Sequence, residues 1–149
     1  MSAYFRVSGK HFDVDAFLAE SSLDPDMVFY RGQQDRIASG KKCPFTGFGI
    51  RITPGFGRLR AHTTAVTAFL RNNKNELRRL SGFRGVTEMS LDFGYERCPD
   101  AAVQCDYLPP PLVSLAGSLG IGIALSLYPA PANRGKRRQR QANRNRNRN

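Results

Sequence analysis

The residues best suited to metal or acid–base chemistry are two histidines, three cysteines and a set of aspartates. The histidines are His11 and His62; the cysteines are Cys43, Cys98 and Cys105. A structural zinc site uses closely spaced pairs of Cys or His. Here Cys98 and Cys105 stand seven residues apart and Cys43 is remote, so the three read as ordinary thiols. Asp13, Asp15, Asp24 and Asp26 resemble a cation loop in charge only. Such a loop needs more oxygens at regular spacing and a glycine turn. Asp13 reads instead as a helix cap and Asp24 as a turn former. Asp92 and Asp106 are chemically fit for acid–base work, but no spacing argument brings their carboxyl groups together. The sequence has no phosphate-cradling glycine loop, nucleophile elbow or His-Glu-x-x-His pattern. The reading at this level is non-catalytic, with no metal or cofactor expected.

A second chemistry lies in the last 18 residues. Residues 132–149 contain eight Lys and Arg, among them Arg134, Lys136, Arg137, Arg138 and Arg140, and no acidic or large apolar residue. Each arginine can displace a counterion from a nucleic acid. The same charge would attract an acidic protein or an anionic membrane surface. A like-charged segment with nothing to bury cannot offset its ordering entropy, so a disordered basic tail is expected. From Asn143 onward the Asn-Arg alternation reads as low complexity.

Those residues carry most of the net charge. The 149-residue chain has 23 Lys+Arg and 12 Asp+Glu, formally +11. Removing the eight basic residues of the tail leaves 15 against 12, a net of +3. Hydrophobic residues are 40 % of the chain, with ten Phe and five Tyr, enough for a real core in one domain over residues 1–131. Three cysteines, an odd number, argue against a disulfide-stapled secreted domain. Residues Met1 to Arg6 lack the apolar region of a signal peptide. A cytoplasmic location is the expectation.

The chemistry-bearing residues need elements to hold them. Ala3 to Ser8 alternates as a strand. Asp13 precedes a short helix carrying Val14, Phe17 and Leu18 at helical spacing. Met27 to Arg31 reads as a second strand, Gly32 to Cys43 as a polar loop, and Gly47 to Thr53 as a third strand. The spacing of Val66, Phe69, Leu70, Leu77 and Leu80 predicts one long helix from Thr64 to Leu80, closed by a left-handed turn at Gly82. Thr87 to Phe93 alternates as a half-buried strand.

Leu112 to Tyr128 is apolar, uncharged and followed by the basic tail, as at the cytoplasmic end of a spanning helix. At 17 residues it is short for a span, and glycines and serines interrupt it. Its second half alternates, with Ile121, Ile123, Leu125 and Leu127 against Gly122, Ala124 and Ser126. A short helix over Pro110 to Ser118, a turn at Gly120 and a buried strand over Ile121 to Tyr128 are therefore predicted, and a membrane partner is not.

The element order predicts an α+β fold: a ferredoxin-like βαββαβ core with an added C-terminal helix and strand, helices on one sheet face. The other face should present Tyr4, Arg6, Arg51, Glu88, Ser90 and Asp92, with both signs of charge interspersed. Gly47-Phe48-Gly49 sits where RNA-recognition domains carry a Gly-aromatic-Gly-aromatic strand. Ile50 stands in place of the stacking aromatic, and the alternation assigns Phe48 to the core.

Tyr4-Phe5-Arg6-Val7-Ser8-Gly9, Glu76-Leu77-Arg78-Arg79-Leu80, Leu91-Asp92-Phe93-Gly94 and Val103-Gln104-Cys105-Asp106-Tyr107-Leu108-Pro109-Pro110 resemble a bacterial family of small proteins known as a domain of unknown function. The resemblance runs over residues 3 to 129 and implies a compact soluble α+β protein without established chemistry; small families of this sort are sometimes linked to immunity proteins that neutralise toxins, which is the ground for expecting a protein partner. It supplies no site residues and has no counterpart to the tail. A protein partner met through the polar sheet face, with Tyr4, Arg6, Arg51, Glu88 and Asp92, and through the Gly32–Lys42 loop is the leading expectation, and nucleic-acid binding by the tail the alternative.

Overall fold

The computed structural model describes residues 2–34, 40–53, 59–96 and 105–128. It is an α+β fold with a five-stranded mixed sheet and four helices. The order is β1 (Ala3–Gly9), α1 (Val14–Ala19), β2 (Met27–Phe29), β3 (Thr46–Arg51), α2 (Leu59–Asn72), α3 (Lys74–Ser81), β4 (Glu88–Glu96), α4 (Pro110–Ser118) and β5 (Gly122–Tyr128). Across the sheet the strands run β2-β3-β1-β4-β5. The first three pairings are antiparallel, and β5 joins β4 in parallel.

Alternation in β1 sets the two faces. Ala3, Phe5 and Val7 are buried, whereas Tyr4, Arg6 and Ser8 point the other way. Register carries that division across the sheet: Phe5 stands opposite Ile50 and Leu91, and Leu91 opposite Ile123. All four helices contribute to the cluster that holds Phe5 and Val7, through Val14 and Phe17, Val66 and Leu70, Leu77 and Leu80, and Leu112 and Ala116. Phe12, Phe17, Phe48 and Phe83 form its aromatic centre, with ring centroids 5.2–6.3 Å apart. Phe48 is wholly buried there, so it offers no base-stacking surface.

Local chemistry fixes the element ends. The Asp13 carboxylate accepts the Ala16 amide at 3.0 Å and caps α1. Pro110 begins α4, where its missing N–H leaves no partner wanting. Gly120, at φ +66, turns the chain into β5. Among the described residues no helix is long and apolar enough to cross a membrane.

Four expectations need correction. The predicted long helix is two: it starts earlier, at Leu59, and breaks at Asn73. The Asn73 side-chain amide donates to the Phe69 carbonyl at 2.9 Å and shares it with the Asn73 backbone amide at 3.0 Å, a back-bonding that bends helices. Gly82 closes α3 with a right-handed backbone (φ −93), while Gly85 takes the left-handed one (φ +90). Strand β2 is three residues long and ends at Phe29. Strand β5 is a sheet edge rather than a buried strand: Leu125 and Leu127 are 44 % and 56 % exposed. The 132–149 tail, with Arg134, Lys136, Arg137, Arg138 and Arg140, lies outside the described residues.

Candidate functional site

The face of the sheet opposite the core carries a cavity of about 310 Å³. Its floor comes from β1, β2 and β4, through Arg6, Ser8, Met27, Phe29, Glu88 and Ser90. Its wall comes from the β2–β3 connection, through Gln33, Gln34, Cys43, Pro44 and Phe45.

That wall has a hydrogen-bonded neck. The Gly32 amide donates to the Cys43 carbonyl at 2.8 Å, and the Cys43 amide to the Gln33 carbonyl at 2.7 Å. The Arg31 amide donates to Thr46 Oγ1 at 3.1 Å. Gly32, at φ +87, permits the reversal at the start of the connection. At its base, the Tyr30 hydroxyl donates to Asp15 Oδ1 at 2.7 Å, tying the wall to α1. This bond to a carboxylate raises the Tyr30 pKa.

Two glycines of β3 let the β2 side chains of the floor lie over that strand. In register, Gly49 lies between Met27 and Arg6, and Gly47 between Phe29 and Ser8. A Cβ on Gly47 would fall 2.8 Å from Phe29 Cζ, and one on Gly49 would fall 3.9 Å from Met27 Cε. The two side chains from β2 thus occupy space that a larger residue on β3 would fill. They give the cleft an apolar base, which Phe45, 41 % exposed, extends at the lip.

Beside the cleft the face is polar and of mixed sign. Arg51 Nε donates to the Tyr4 hydroxyl, and its guanidinium lies 5.2 Å from the ring centre. The Arg6 guanidinium is 6.0 Å from the same ring and 4.0 Å from Asp92. Asp92 also accepts the Ser126 hydroxyl at 2.6 Å. An ion pair this long, with Arg6 45 % exposed, contributes little to stability and leaves Arg6 able to exchange partners. The five expected contact residues therefore share one face. Tyr4 stands opposite both Arg51 and Asp92, and Glu88 opposite Ser8.

Three of the aspartates singled out in the sequence have structural duties: Asp13 caps α1, Asp15 holds Tyr30, and Asp26 accepts the Arg51 amide. Met27, Phe29, Cys43 and Phe45 were not expected at the site. The usable signal was the Gly47/Gly49 alternation. A glycine inside a strand often marks a close approach by something else. No protein-family model, curated protein or solved structure matches the chain.

Proposed function

We propose that this chain is a non-catalytic protein-interaction module that grips its partner on the sheet face opposite the core, as an immunity protein grips a toxin. The observation that carries this reading is the composition of that face. An apolar cleft of Met27, Phe29 and Phe45 lies beside the opposite charges of Arg6, Arg51, Glu88 and Asp92. Protein interfaces combine an apolar anchor site with a polar rim, and alternating charge on the rim selects a complementary partner. A partner side chain seated between Phe45 and Met27 would be the anchor, with Arg6 and Glu88 setting its register.

The finer architecture belongs to the same reading. The run β2-β3-β1-β4, antiparallel throughout with helices joining β1 to β2 and β3 to β4, supports a ferredoxin-like core to which α4 and β5 are added. The odd cysteine count supports a cytoplasmic setting.

The test is capture from a lysate of the source cells, run with the native chain and with Arg6→Glu and Phe45→Ala. A protein held by the native chain and released by both variants supports the proposal. Absence of any protein partner, together with turnover of a metabolite, would falsify it.

A second reading rests on the eight basic and no acidic residues of 132–149. It expects nucleic-acid affinity that falls steeply with salt and is lost on deletion of that segment.

A further inference from the structure

Strand β5 forms one end of the sheet, and among the described residues nothing pairs with its outer edge. Edge strands are normally blunted by charge, proline, a bulge or shortness. The opposite edge, β2, is three residues long. By contrast β5 runs for seven residues, Gly-Ile-Ala-Leu-Ser-Leu-Tyr, with no charge and no proline. Its apolar row also extends beyond the core. Leu91 and Phe93 are 0 % and 1 % exposed, but Leu125, opposite Phe93, is 44 % exposed and Leu127 is 56 % exposed.

We infer that this edge pairs antiparallel with β5 of a second copy of the chain, centred on Leu125, to make a continuous ten-stranded sheet. The occupant follows from the strand's own pattern. With Leu125 facing its counterpart, Ile123 meets Leu127 of the second copy, Ala124 meets Ser126, and Gly122 meets Tyr128. This self-paired register engages all seven residues. It places every apolar side chain of one face against an apolar side chain, and the largest residue of the other face against the one without a side chain. Directly opposed residues of an antiparallel pair point to the same side. Both clefts therefore open on one side of the joined sheet, which presents two equivalent partner sites.

The test uses the full chain. Sedimentation equilibrium is expected to give twice the 16.6 kDa chain mass. Leu127→Lys, which introduces two charges per junction, is expected to raise the dimer dissociation constant about tenfold or more. Register is read separately by Leu125→Cys in a background where Cys43, Cys98 and Cys105 are serine. Opposed Cα atoms in this geometry are about 4.5–5.5 Å apart, inside the range of a disulfide. Mild oxidation should then give a covalent dimer, while Val113→Cys on exposed α4 should not. A monomeric mass, a dimer indifferent to Leu127→Lys, or cross-linking at 113 but not at 125 would each overturn the inference.

Discussion

The guanidinium of Arg79 lies 4.4 Å from the centre of the Phe17 ring, joining α3 to α1. The same group donates to Glu76 Oε1 at 2.6 Å and to the Glu20 carbonyl at 3.1 Å. Glu76 in turn accepts the Ser21 hydroxyl at 2.6 Å. One arginine thus covers an aromatic face of the core and organises the polar groups around the end of α1.

This network makes stability depend on acid. The hydrogen bond from Arg79, reinforced by that from Ser21, holds the Glu76 carboxyl below its ordinary value of 4.5. A depressed folded-state pKa stabilises the fold above the unfolded value and loses that contribution as pH falls through the folded value. Denaturation midpoints should therefore fall as pH drops below about 4.5. Glu76→Gln should lower stability at neutral pH and flatten the acid limb. An acid limb of native steepness in the variant would exclude Glu76 as its source.

Gly47 and Gly49, two residues apart on β3, should respond in opposite directions to alanine. A Cβ on Gly47 would meet the Val7 carbonyl oxygen at 2.0 Å, which is backbone and cannot yield. On Gly49 the nearest atoms lie at 3.8 and 3.9 Å, an ordinary contact. Gly47→Ala is expected to cost about 3 kcal/mol or more, and Gly49→Ala to add about 0.5 kcal/mol through reduced chain entropy. Urea unfolding of both variants decides the point, and equal effects would contradict the packing of the cleft floor.

Gly85 should tolerate no side chain. It has φ +90, and a Cβ would stand 2.1 Å from the His11 carbonyl oxygen. Gly85→Ala is expected to cost about 3 kcal/mol or more, combining left-handed strain with a backbone collision. Thermal unfolding within a degree of the native chain would contradict this geometry.

The cleft variants should separate binding from folding. Phe45 is 41 % exposed and Arg6 holds a single long ion pair, so Phe45→Ala and Arg6→Glu should change stability by about 0.5 kcal/mol or less. Partner capture should nevertheless fail for both. Loss of capture accompanied by an unfolding midpoint several degrees lower would assign the effect to the fold instead.

Much of the secondary structure was legible because short-range chemistry governs it. Pro110 and Gly120 punctuate the sequence clearly, and the uncharged run from Pro110 to Tyr128 resolved into α4 before Gly120 and β5 after it, at the expected place. Likewise Asp13 announced α1, and alternation in β1 and β4 separated the core face from the polar face. The helix break was hidden, since Asn73 fits a helical period until its amide turns back on the Phe69 carbonyl. Gly82 closes α3 as expected, but the left-handed backbone falls at Gly85, which packs against the His11 carbonyl, a long-range contact that spacing along the chain does not report. The exposure of β5 was also hidden, because alternation reports two faces but not how far the helices cover them. The polar half of the candidate site could be read from periodicity. Its apolar half could not, because Met27 and Phe29 reach it only once β2 is registered against the glycines of β3.

The central claim is that the sheet face opposite the core meets a protein, and photo-cross-linking from the lip of the cleft tests it most directly. A photoreactive phenylalanine analogue would be placed at Phe45, and in a second chain at Ala68, exposed on α2. Irradiation in the source cells should give one discrete protein adduct from position 45 and none from position 68. Adducts from position 68 alone, or only nucleic acid joined at position 45, would contradict the account.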